Sequence, residues 1–148
     1  MSSEDPRAIH LRSNLDHIGL ARDFVAAIAR AVPMSAREIY DLELVVDEAL
    51  TNVIEHAYEG RPERPVELAV TLEGDALVIA ITHDGRYFDP AGRPEVDLKA
   101  HIAERRTGGL GLYLLKKLLD EVAYGTDAAG RPCIRMVKRR APRDEGGA

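Results

Sequence analysis

Asp47-Glu48-Ala49-Leu50-Thr51-Asn52-Val53-Ile54-Glu55-His56-Ala57-Tyr58 is the stretch on which the fold turns. It closes a run in which Leu42, Val45, Val46, Ala49, Val53 and Ala57 recur at three- and four-residue steps. That spacing predicts one buried face of an amphipathic helix. Glu48, Asn52 and His56 are four residues apart and form a polar stripe beside that face. A carboxylate, a carboxamide and an imidazole in a row at the margin of a core can line a pocket. The same three residues also suit the ordinary polar flank of such a helix, and the stripe alone does not choose.

The chain around this stretch has 148 residues, 45% hydrophobic and 30% charged, with a formal net charge of −5. This suits one domain, residues 1–148, with 1–7 and 141–148 as loose ends. The acidic balance argues against a nucleic-acid-binding surface, which would be basic. No apolar run approaches the length of a bilayer span, and no basic-then-apolar leader opens the chain, so no membrane association is expected. The single Cys133 cannot close an internal disulfide, which fits a reducing, cytoplasmic setting. Between Pro132 and Ile134 it reads as a small packing residue rather than a nucleophile.

Upstream of the stretch, Ala8–Arg12 can form a short strand. Ser13-Asn14-Leu15-Asp16 has capping-box spacing and opens a helix that stops near Val32-Pro33. Ser35-Ala36-Arg37-Glu38 is a second box and starts the helix carrying Glu48, Asn52 and His56, which is expected to end around Tyr58-Glu59-Gly60. The period then changes to two. Val66, Leu68, Val70 and Leu72 alternate with polar or small residues, Gly74-Asp75 suits a tight turn, and Leu77, Ile79 and Ile81 mark the returning strand.

His83-Asp84-Gly85-Arg86-Tyr87-Phe88-Asp89-Pro90 leads into a polar, irregular segment over 89–106, long enough to be a functional lid. Arg105-Arg106-Thr107-Gly108-Gly109-Leu110-Gly111-Leu112 then runs into a helix. Gly-rich turns at helix N-termini leave backbone N–H groups free where the helix dipole favours anions, so this junction suits phosphate, although a plain hinge has the same composition. Two strands follow, Glu121–Thr126 and Cys133–Lys138, joined through Ala128-Ala129-Gly130. A pair of helices, a hairpin, a helix and a second hairpin imply an α+β two-layer sandwich, helices on one face of a mixed, largely antiparallel sheet.

With both halves in view the chain resembles the GHKL (histidine kinase-like) ATPases of Bergerat-type ATP-binding fold, and among them the bacterial anti-sigma factors that are serine-protein kinases. Glu48-x-x-x-Asn52-x-x-x-His56-Ala57-Tyr58 is similar to that family's N-box. Gly85 with Phe88-Asp89-Pro90 is similar to its second box, and Gly109-Leu110-Gly111-Leu112, through Asp120-Glu121-Val122, to its third. The resemblance implies Glu48 as general base, Asn52 as ligand to Mg²⁺, and a nucleotide held by Asn52, His83, Gly85, Arg105, Thr107, Gly108, Gly109, Leu110, Gly111 and Leu112. It implies ATP and Mg²⁺ as cofactors. It also implies a sigma factor and an anti-anti-sigma (STAS-type) protein as partners, with a homodimer through the sheet side. His56 reads as structural, since no second His or Cys is placed to complete a metal site.

One departure stands out. The family's second box begins with an Asp that accepts a hydrogen bond from the adenine amino group, and here that position is His83. A neutral imidazole has one acceptor nitrogen and can replace the carboxylate in one tautomer only. Asp84 is expected to project to the other side of an extended chain. Two functions therefore compete: an ATP-dependent kinase and switch, and a partner-switching module that binds ATP weakly or not at all. A sensor histidine kinase is disfavoured, because no upstream helical segment with a phosphoacceptor His is expected.

Overall fold

The computed structural model describes residues 5–88 and 109–141. The expected lid over 89–106, with Arg105 and Arg106, lies outside the described residues, as do Thr107 and Gly108. The elements run β1 (Arg7–Arg12), α1 (Leu15–Ala31), α2 (Ala36–Asn52), a π turn (Val53–Ala57), β2 (Pro65–Glu73), β3 (Ala76–His83), α3 (Gly109–Leu118), β4 (Glu121–Thr126) and β5 (Pro132–Arg139). The strand expected from Ala8 thus begins at Arg7, inside the stretch read as loose.

Both N-terminal caps have local causes. Ser35 Oγ accepts the Glu38 N–H at 3.1 Å while Glu38 Oε1 accepts the Ser35 N–H at 2.8 Å, the reciprocal box read from the sequence. The first box is different. Asn14 is the cap residue, its Oδ1 accepting the Asp16 N–H at 2.9 Å. Ser13 is buried and ties the 61–64 loop instead, donating to the Arg61 carbonyl at 2.6 Å and accepting from the Arg64 N–H at 2.8 Å.

The five strands are ordered β1-β2-β3-β5-β4. Every ladder among them is antiparallel, so the parallel component of the expected mixed sheet is absent among the described residues. Register puts Leu11, Val66, Leu68, Leu77, Ile79, Ile81, Ile134 and Met136 on one face, all buried, where they meet the apolar stripes of the helices. Ala21, Val25 and Ala29 come from α1, Leu42, Val45, Val46 and Ala49 from α2, and Leu115 from α3. A smaller cluster, Ala76, Val78 and Val137, forms on the opposite face, so β3 is buried on both sides through most of its length.

The helices are fastened to one another and to the sheet by charge. Arg22 meets Asp47 at 2.7 Å between α1 and α2. Lys138 of β5 donates to the Leu118 carbonyl at 2.7 Å and lies 3.5 Å from Asp41, joining the C-terminal end of α3 to α2. No helix among the described residues is long and apolar enough to cross a membrane.

Candidate functional site

Glu48 and Asn52 lie one turn apart on the last two turns of α2. Glu48 is half-buried and its carboxyl is held above the ordinary value, first by burial and then by the charges of Glu55 and Asp47. A carboxylate raised in this way is a better proton acceptor than a solvated one. Asn52 is only 3% exposed, and no hydrogen bond holds its carboxamide among the described residues. An amide that makes no bond to the protein is free to meet a ligand oxygen or a cation.

Past Asn52 the helix widens into a π turn before it ends at Tyr58, where its end was expected. The Tyr58 N–H donates to the Val53 carbonyl, five residues back, at 3.0 Å. A π turn holds more residues than an α turn, so the four-residue step from Asn52 no longer continues the α-helical stripe. His56 instead lies flat against Phe88, centroids 4.7 Å apart and planes 14° apart. The structural role expected for His56 is thus to hold the second box against the helix end.

Tyr58 is the residue whose importance the sequence did not disclose. It is 4% exposed, and its hydroxyl can donate either to the Pro65 carbonyl or to Asp84 Oδ1, which is 2.8 Å away, while it accepts the Asp84 N–H at 3.0 Å. Burial pushes the phenol up to about 12, with the Asp84 N–H opposing and the Asp84 carboxylate adding to the rise. The available signal was general: a buried tyrosine needs a partner for its hydroxyl. Asp84 is therefore bound to Tyr58 through both its N–H and its carboxylate.

Gly85 lies against the same helix end. A Cβ there would stand 2.8 Å from the Ala57 carbonyl oxygen and 2.9 Å from two Tyr58 ring carbons. The next residue, Arg86, donates its N–H to that carbonyl at 2.9 Å. Gly85 was expected among the nucleotide contacts; its visible constraint is the approach of loop to helix. His83 ends β3 opposite Val66, on the helix side of the sheet, and is 4% exposed. Its Nδ1 accepts the Gly85 N–H at 3.1 Å, and its ring meets the Tyr58 ring edge-on at 5.7 Å and 66°. Burial holds the imidazole below its ordinary value, with Asp84 opposing, so the ring is neutral at neutral pH.

Gly109, Leu110, Gly111 and Leu112 form the first turn of α3, which packs against α2. Their backbone N–H groups are those a helix leaves unpaired at its start. For a magnesium nucleotide the residues fit at the phosphate end, where the Asn52 amide could offer an oxygen to the cation and the start of α3 backbone N–H groups to the phosphates. At the base end the position is polar and buried, but its hydrogen-bonding sense differs from a carboxylate. Cys133 is half-buried and its thiol is pushed up by burial, as suits a packing residue. No cluster of His, Cys, Asp and Glu able to hold a metal by itself occurs among the described residues.

A family model described as histidine kinase-like ATPase domain matches residues 11–138. The serine-protein kinase RsbW of Bacillus pumilus is 36% identical over 114 residues, covering 72% of this chain and 70% of that protein. The serine-protein kinase RsbW of Listeria monocytogenes serovar 1/2a is 29% identical over 122 residues, 80% of this chain and 78% of that protein. Among solved structures, the RsbU and RsbW domains of Rv1364c from Mycobacterium tuberculosis share the fold, with a TM-score of 0.65 at 16% identity. That likeness covers 95% of this chain, which spans only 34% of the longer protein.

Proposed function

Because this chain belongs to the histidine kinase-like ATPase family, we propose that it is a regulatory serine-protein kinase that uses ATP and Mg²⁺ and acts as an anti-sigma switch. Its partners in this reading are a sigma factor, which it holds inactive, and a STAS-type anti-anti-sigma protein, on which it phosphorylates a serine. The observation that carries the reading is the pairing on α2 of a half-buried, more basic Glu48 with an unpartnered, buried Asn52 one turn later.

Glu48 would accept the proton of an incoming serine hydroxyl as that oxygen bonds to the terminal phosphorus. The carboxamide oxygen of Asn52 would complete the oxygen shell of Mg²⁺, a hard cation that takes few protein ligands when triphosphate and water supply the rest. The cation's chemistry is to neutralise charge on the phosphoryl group in flight. Gly109 and Gly111 would bring the first turn of α3 close to the phosphates, and the His56–Phe88 stack would keep the second box against α2.

Transfer of label from the γ-phosphate of saturating ATP to a purified STAS-domain partner tests the proposal. Label is expected on a partner serine with the native chain and is expected to fall at least a hundredfold with Glu48→Ala. Equal transfer by Glu48→Ala would remove Glu48 as the base, and no transfer with intact partner binding would favour the switch without kinase chemistry.

A further inference from the structure

The hydrogen bond from the Gly85 N–H to His83 Nδ1 decides which tautomer this imidazole adopts. A backbone N–H can only donate, so Nδ1 is the bare, accepting nitrogen and the ring proton is on Nε2. His83 thus presents a donor where the family's carboxylate presents an acceptor. No hydrogen bond from Nε2 is made among the described residues, although the side chain is 96% buried by its 4% exposure. Around His83, the Tyr58 hydroxyl lies 2.8 Å from Asp84 Oδ1, the Tyr58 and His83 rings cross at 66°, and Thr82 faces the opposite side of the sheet.

We infer that His83 makes this site a reader of 6-oxopurines: its Nε2–H donates to a carbonyl at position 6 of the base, so inosine or guanosine triphosphate binds in preference to ATP. The inference rests on the nucleotide site proposed above. Adenine carries an amino group at position 6, and an amino group facing the Nε2–H leaves two donors without an acceptor. Hypoxanthine and guanine carry an oxygen there, which satisfies the ring proton. The mismatch is expected to weaken ATP by roughly ten- to a hundredfold relative to a 6-oxopurine nucleotide.

The test is calorimetric titration of the full chain with ITP, GTP and ATP in the presence of Mg²⁺, with melting temperature as a second readout. ITP is expected to bind at least tenfold more tightly than ATP. GTP matching ITP would show that the 2-amino group is accommodated, and GTP falling behind ITP would show that it is not; both support a reader of position 6. His83→Asp is expected to reverse the order, since one carboxylate oxygen can take the Gly85 N–H as an Asx turn while the other accepts from adenine. His83→Asn, which carries both a donor and an acceptor, is expected to level it. ATP binding as tightly as ITP and GTP to the native chain would overturn the base preference while leaving the nucleotide site standing. A correctly melting protein that binds none of the three would overturn the site itself and the preference with it.

Discussion

Gly85→Ala is expected to destabilise the protein in the absence of any nucleotide. The added Cβ would stand 2.8 Å from the Ala57 carbonyl oxygen and 2.9 Å from Cδ1 and Cε1 of Tyr58. The first of these atoms is backbone at a helix end and cannot rotate away. Overpacking of this kind costs about 1–3 kcal/mol. Moving the loop outward to relieve it would stretch the Arg86 N–H bond to the same carbonyl, now 2.9 Å, at a further cost of about 1 kcal/mol. Against this, replacing glycine by alanine restrains the unfolded chain and returns about 0.4–1 kcal/mol. The net loss is about 2 kcal/mol, which in a chain of this size lowers the melting temperature by roughly 4–8 °C. Gly125→Ala is the control: a Cβ there meets nothing within 4 Å, so its melting temperature is expected to stay near that of the native chain. Scanning calorimetry of both variants without ligand decides the matter. If Gly85→Ala melted with the native chain and lost only nucleotide affinity, the glycine would be serving the ligand rather than the helix end, and the packing argument would be wrong.

Two further perturbations read the α2 pair. Glu48 has its carboxyl raised in the folded chain, so the folded state holds the proton more tightly than the unfolded one, and the ionised group costs stability once the pH is above the folded value. Glu48→Gln is therefore expected to raise the melting temperature at pH 7, by an increment that shrinks as the pH falls through the folded value towards the ordinary carboxylate range; an increment that grew on acidification would contradict the burial of Glu48. Asn52→Leu removes an amide that makes no hydrogen bond among the described residues, so thermal melting without ligand is expected to stay close to that of the native chain. The same variant should lose the rise in melting temperature that Mg²⁺ and nucleotide give the native chain, and retention of that rise would mean that Asn52 does not reach the ligand.

The helix pair, the hairpin and the final strands were legible because each rests on a local pattern: a period near four with a capping box, a period of two, a turn with Gly74 at positive φ. Ser13 was misassigned as a cap for a tertiary reason, since its hydroxyl is claimed by the 61–64 loop some fifty residues on. The π turn was not legible either. Nothing in Val53–Ala57 departs from a helical pattern, and the extra residue in the turn follows from what the helix end must meet, namely the loop that leaves β3. Glu48 and Asn52 could be picked out by their spacing, whereas the unpartnered state of the Asn52 amide is a property of its surroundings.

His83 shows where reading by residue type stops. Its identity says that one ring nitrogen accepts and one donates; which is which depends on the Gly85 N–H two residues on. That N–H is where it is because Gly85 can approach the helix end closely enough for Arg86 to bond the Ala57 carbonyl, and the carbonyl is there because the helix takes a π turn before Tyr58. The π turn, the glycine and the histidine therefore act as one unit, with Tyr58 bound to the adjoining Asp84. A change at any of them should reach the base-reading position through the others. The preference for a 6-oxopurine over adenine is on this account a property of backbone geometry at the end of α2 as much as of the side chain that touches the base.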